Sequence, residues 1–178
     1  DELYTIHKDV DIAAAKKALQ GTNTGANFGD NYVYAEAIIE AALTAREDYK
    51  GSGNLKFYCT PHLVNVMLLA RDMNGRRIYS SKADLQAALN VSSIETVEQF
   101  EGLVRTDSSL KQHELLGIFV NLADYQVGST KGGEITKFEQ FDIDFNQQKL
   151  LIETRVSGAL TRVKSAIVLE MPVAAAEG

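Results

Sequence analysis

Cysteine is nearly absent: Cys59 is the only one among 178 residues. An internal disulfide and a zinc site built on thiolates are therefore excluded. With Phe57, Tyr58 and Leu63 nearby, Cys59 is expected as a buried structural thiol rather than a reactive one. Long apolar runs are also lacking, and none approaches the roughly 20 residues of a membrane span. The first residues, DELYTIHKDVD, lack the basic-then-apolar order of a signal peptide and do not start with Met, so a fragment or processed product is expected. Positive charge is in deficit, with a net charge of -6. The nearest approach to a basic stripe, Arg71, Arg76 and Arg77, is broken by Asp72, Asn74 and Gly75. Phosphate neutralisation needs clustered Lys and Arg, so sequence-specific nucleic-acid binding is not expected.

Patterns that carry chemistry are missing as well. The histidines His7, His62 and His113 fall in an extended leading segment, on the first turn of a core helix and in a polar loop. No pair has the i, i+4 spacing of a helical metal site, and no HExxH or facial-triad pattern occurs. Ser157-Gly158 lacks the surround of a nucleophile elbow. The loop over residues 21–31, GTNTGANFGDN, lacks the Gly-Lys-Ser/Thr ending of a phosphate cradle and reads as a surface loop. Asp142 and Asp144, with Glu139, could hold a hard cation; a solvated strand face explains them better. No catalytic, cofactor-binding or metal site is expected, and no enzyme activity.

What remains is a chain with 45% apolar and 24% charged residues, ordinary for one globular domain or one domain with a small appendage. Such a chain folds without staples. Its periodicities predict an α+β protein. A short helix over 13–19 ends at Gly21. A longer one starts near Asp30 or Asn31, carries Ala35, Ile38, Ile39, Ala42 and Leu43 as one stripe, and stops by 51–53. A buried strand over 55–59 leads to Thr60-Pro61, which opens a helix to about Arg71 that is apolar nearly all round. Asn74-Gly75 marks a tight turn, and Ser80 or Ser81 caps a helix over 82–89. Strands follow at 94–100, 115–120 and 125–128, with a long exposed loop at 101–113 and a hairpin-type loop at 129–133.

The last long apolar run, 138–170, is where alternation is strongest. From 149 to 160 the set Leu150, Ile152, Thr154, Val156, Gly158 and Leu160 alternates with Lys149, Leu151, Glu153, Arg155, Ser157 and Ala159, the period of a half-buried strand. A shorter strand at 165–170 follows the basic turn 161–164. Upstream, Phe138, Phe141, Ile143 and Phe145 sit among acidic residues. The reading is an antiparallel pair or triplet of long strands without chemistry of its own. Glu153 and Arg155 share its polar face as a candidate cross-strand or intersubunit ion pair.

The segment YQVGSTKGGEITKFEQFDIDFNQQKLLIETRVSGALTRVKSAIVLE, residues 125–170, resembles the C-terminal part of the major capsid proteins of tailed bacteriophages, whose shell fold is shared with encapsulins. The words that carry this are Val127-Gly128, Gly132-Gly133, the acidic-aromatic strand 141–145, the long strand 149–160 and the strand 165–169. A second stretch, CTPHLVNVMLLARDMNGRRIY at 59–79, is similar to the family's Pro-started helix followed by a charged Gly turn; Asp72, Gly75, Arg76 and Tyr79 keep the pattern, while Thr60 stands where many relatives carry Asn.

The resemblance implies an axial domain, the part that clusters around the fivefold and sixfold axes of a shell, joined to long β-strands of an elongated peripheral domain. On that reading residues 1–30 are an extended leading segment and loop, 31–136 the axial-type α+β domain, 137–171 long strands packing on or joining the peripheral domain, and 172–178 a flexible tail. The family's N-terminal arm, extended loop and spine helix do not fit in residues 1–30, so a C-terminal portion of a subunit is expected. The implied partners are copies of itself in pentamers and hexamers, with scaffold or portal proteins beside them and no membrane. The implied location is the virion capsid, assembled in the bacterial cytoplasm. An acidic balance suits a shell that encloses DNA without gripping it. An encapsulin-like shell around cargo, or an unrelated small α+β enzyme or binding module, are the alternatives. The strand edge of 138–170 and the loops 101–113 and 129–133 are the expected contacts between subunits.

Overall fold

The computed structural model describes residues 3–23, 25–129, 136–153 and 155–173. The body is a mixed sheet with strand order β1-β10-β5-β2-β3, and β4 also pairs with β5. Its strands are β1 (Thr5–Asp9), β2 (Lys56–Cys59), β3 (Ser93–Thr96), β4 (Val104–Thr106), β5 (Gln112–Val120) and β10 (Ala166–Pro172). β1 runs parallel to β10 and β2 parallel to β3, while β5 is antiparallel to β10, β2 and β4. Register aligns one row across the sheet: Ile6, Ile167, Phe119, Phe57 and Ile94. This row is the floor of the core. Phe57 and Phe119 stack at its centre with ring centroids 4.1 Å apart. Gly117 is required beside them, because a Cβ there would lie 2.5 Å from the Phe57 ring and 2.9 Å from the Tyr58 carbonyl.

Helix α2 (Asp30–Arg46) packs against β1 and β10 and is flanked by α1 (Ile12–Gln20), α3 (Pro61–Leu68) and α4 (Lys82–Leu89). It is therefore covered on several sides: Val33, Ala37, Ala41 and Ala45 are buried as well as Ala35, Ile38, Ile39 and Ala42, while Leu43, expected in the stripe, is exposed. Alanine lets neighbouring helices approach closely, and an alanine-rich helix has no single apolar side to read. Gly29, rather than Asp30 or Asn31, is its N-cap. The α3 and α4 starts match their local signals. Thr60 Oγ1 accepts from the Leu63 N–H with Pro61 at the first turn, and Ser81 and Asp84 form a reciprocal capping box. α3 ends at Leu68 and leaves Asn65 and Leu69 exposed, so it is one-sided and not apolar all round.

Several expected elements move. Residues 1–30 hold β1 and α1, which belong to the body, because parallel pairing with β10 turns a weakly periodic segment into a sheet edge. Residues 101–113 are not one exposed loop: β4 and the first residues of β5 form a hairpin there, and His113 is buried. The strand expected at 94–100 ends at Thr96 and continues as a 3-10 turn, Glu98–Phe100.

The long strands form a ribbon that leaves the body. β6 (Tyr125–Ser129) pairs with β9 (Val156–Leu160), and β7 (Thr136–Asp142) with β8 (Gln147–Glu153). The run 149–160 is thus divided between two ladders, and β10, expected with the long strands, lies inside the body sheet between β1 and β5. Its Ile167 and Leu169 are buried, which explains why 165–170 reads as a strand but not which sheet receives it. The hairpin loop expected at 129–133 lies, past Ser129, outside the described residues, as does the tail past Val173.

Candidate functional site

Exposure of apolar surface sets the ribbon apart. Every described residue of β8 is exposed, including Leu150, Leu151 (59%) and Ile152 (55%). Cross-strand register places Phe138 opposite Leu151 on one face and sets Leu150 and Ile152 opposite Glu139 and Lys137 on the other. Both faces carry large apolar groups, so the expectation of a half-buried strand is corrected: among the described residues nothing covers either side. Nearer the body, β6–β9 has one apolar face from Val127, Val156 and Tyr125, and the Tyr125 ring lies over Gly158. A two-stranded ribbon is marginally stable in water, and exposed apolar patches mark interaction surfaces.

The root of the ribbon is fixed by Asp124, which is 2% exposed. Its carboxylate accepts from the Ser52 N–H and hydroxyl, both at 2.6 Å, and lies 3.3 Å from the Arg162 guanidinium. Its backbone carbonyl accepts from the Thr161 N–H and hydroxyl. Burial pushes the Asp124 carboxyl up, yet the Ser52 donors and Arg162 outweigh it and hold the group below the usual carboxylate range. One buried carboxylate thus ties both strands of the root to the loop after α2.

At another place on the sheet a polar network joins sequence-remote segments. A bulge between Leu169 and Glu170 re-aims Glu170, which is 2% exposed. Arg105 donates to both its oxygens at 2.8 and 2.6 Å, and the His7 ring donates from Nδ1 at 2.8 Å. His113 sits between Asp9 (2.9 Å) and Asp107 (3.4 Å). Burial raises the Glu170 pKa, but Arg105 and His7 together keep it below its ordinary range. Asp9, Asp107, Arg105 and Glu170 line an open cavity of about 430 Å³. Asp9, His113 and Glu170 bring ligand atoms within 4.8 Å of one another, a donor set of the right type for a divalent cation. The fit fails on Arg105, whose fork occupies both Glu170 oxygens and would press a guanidinium against the cation. The cluster is a satisfied ion network.

The sequence reading kept the histidines apart, and only His62 lies where it was expected, exposed on the first turn of α3. His7 and His113 meet through Glu170, with His113 Nδ1 3.9 Å from Glu170 Oε2. An acidic residue inside the apolar run AIVLEMP was the available signal for Glu170; Asp9, Arg105, Asp107 and Asp124 had none. Cys59 is buried, and burial pushes its thiol up to about 12, an inert thiol as expected. Asp142 accepts from the Asp144 N–H and pairs with Lys149 Nζ. Glu153 accepts from Arg155 Nε at 3.1 Å within one chain, in an exposed setting. Among the described residues no helix is long and apolar enough to cross a membrane.

The helix-backed sheet, with its ribbon inserted between the inner strands β5 and β10, is a fold shared with a solved capsid structure. The chain is similar to the protein of the capsid of an empty GTA particle computed with C5 symmetry, at 11% identity and a TM-score of 0.50, over 79% of this chain and 45% of that one. It also matches a virus-like particle from Pyrococcus furiosus (14% identity, TM-score 0.44, 75% of this chain and 50% of that one) and Gordonia phage Cozz (16%, 0.40, 96% and 50%). The chain spans about half the length of these solved structures. No family model and no curated protein sequence matches it.

Proposed function

We propose that this chain is part of a structural shell subunit, the major capsid protein of a phage or prophage, acting through contacts between copies rather than through a catalytic centre. The observation that carries the reading is the ribbon: large apolar side chains on both faces of an element that the described residues leave uncovered. An enzyme gains nothing from such an arm. A subunit that must grip neighbours does, and head-to-tail contacts between identical chains close into rings. The shared fold supports the same conclusion.

On this reading the sheet and its helices are the axial domain, the ribbon belongs to the peripheral domain, and the copies assemble as pentamers and hexamers in the host cytoplasm, with a scaffold or portal as further partners. A cargo-enclosing shell uses the same fold, and no observation favours it over the phage capsid. Electron microscopy of the complete subunit after expression tests the proposal. Closed icosahedral particles are expected; a complete subunit that stays dispersed under all assembly conditions contradicts it.

A further inference from the structure

Two exposed turns are complementary in both charge and shape chemistry. The ribbon tip, residues 138–146, carries Glu139, Asp142 and Asp144, a charge of -3, of which Asp142 is paired with Lys149 on the opposite strand, leaving Glu139 and Asp144 for a partner. Its apolar groups stand in water: Ile143 is 82% exposed and Phe145 71%. The turn after α3, residues 69–77, carries three arginines against Asp72, a charge of +2. There Met73 is 62% exposed, with Leu69 beside an open cavity of about 410 Å³ that reaches Asn31 and Tyr32 on α2.

Both turns are held before any partner arrives. In the basic turn Asp72 Oδ1 accepts from the Asn74 and Arg76 N–H groups at 2.9 and 2.8 Å, Gly75 takes a φ of +78°, and Arg71 bridges Arg77. Those bonds engage Asp72 with its own backbone. Among the described residues neither Arg76 nor Arg77 has a carboxylate within ion-pair distance. At the tip Asp142 Oδ1 accepts from the Asp144 N–H and Asn146 sits at a φ of 48°. Pre-organised surfaces bind with less ordering cost, and opposed potentials set specificity and register.

We propose that the ribbon tip of one copy docks on the arginine turn of a second copy, Phe145 and Ile143 meeting Met73 and Leu69 while Asp144 faces Arg76 and Arg77. The occupant is a second copy because one chain supplies both halves of the complementarity on different surfaces. Such a contact is head-to-tail: in a pair one copy keeps a free turn and the other a free tip, so further copies add until a ring or shell closes and engages both. The inference rests on the shell reading and adds to it which surfaces meet.

The test mixes two variants of the complete subunit, Phe145→Cys and Met73→Cys, the second carrying a size tag, and oxidises them in the assembled state; buried Cys59 is left in place. The expected product is a mixed disulfide dimer. Arg76→Glu with Arg77→Glu in the Met73→Cys chain should lower its yield about fivefold, and adding Asp144→Lys to the Phe145→Cys chain should restore most of it. Tip-to-tip dimers alone, or no mixed dimer in assembled particles, overturns the docking while leaving the shell reading intact. A complete subunit that forms no particles overturns both.

Discussion

The body and the ribbon of this molecule solve opposite problems with similar residues. In the body, Ile and Phe from neighbouring strands align in one row on the floor of the core, and the buried carboxylates Asp124 and Glu170 each have a full set of donors. In the ribbon, Phe, Leu and Ile alternate just as regularly and remain in water. Regular alternation therefore reports strand geometry in both regions but burial only in one. The lesson is that an apolar strand face needs an opposing layer, and where the described residues supply none, the face is free for a contact outside them.

The contrast is broken most sharply by core truncation. Phe57→Ala removes a fully buried ring from the stack with Phe119 and should destabilise the isolated chain by about 3–5 kcal/mol. Phe141→Ala in the ribbon should change it by less than about 0.5 kcal/mol, and its effect should fall on assembly instead. Chemical denaturation of both variants measures the gap; equal losses would mean that the ribbon is packed in solution.

Two of the glycines that lie under aromatic rings, one in the body and one in the ribbon, sharpen the same comparison. Gly117→Ala forces its methyl against the Phe57 ring and the Tyr58 carbonyl, which cannot retreat, at a cost of roughly 1–3 kcal/mol. Gly158→Ala meets the Tyr125 ring, which is exposed and can swing away, so a loss well below that is expected. Melting temperatures of the two single variants decide it.

Acid should loosen the root of the ribbon and the Glu170 network. Both carboxyls have folded pKa values below their ordinary ones, so their contribution is complete above the unfolded values of 3.8 and 4.5 and is lost as pH falls through the folded values. Asp124→Asn lacks its contribution at neutral pH already. The stability difference between the parent chain and Asp124→Asn should therefore shrink between pH 6 and pH 3, which thermal melts across that range can show. A difference that grows toward low pH would reverse the assigned sign.

The smallest effect is expected at Glu153 and Arg155. They pair two residues apart in an exposed setting, so Arg155→Glu should cost the isolated chain no more than about 0.5 kcal/mol. A clear loss of assembly from that single reversal, recovered by adding Glu153→Lys, would assign the pair to a contact between copies.

Local signals were the readable part of this fold. Ser81 and Asp84 announced α4, Thr60-Pro61 announced α3, and Asn74-Gly75 announced its turn, because each acts within a few residues. The ribbon was legible as long strands. Its splitting into two ladders was not, since partner choice depends on distant register. The greatest miss was the network of His7, Asp9, Arg105, Asp107, His113 and Glu170. Those residues meet only because β1 lies parallel to β10 and β4 folds onto β5, pairings that no local pattern encodes. Burial of His113 followed the same route: in sequence it stands in a polar stretch, and in space it stands between two acids and a sheet.

Hydrogen exchange of the complete subunit, measured before and after assembly, tests the central claim most directly. Amides of β5 and β10 should be protected in both states, while those of β7 and β8 should exchange fast when dispersed and slow by orders of magnitude once copies meet. Ribbon amides that exchange at the same rate in the two states would contradict the account.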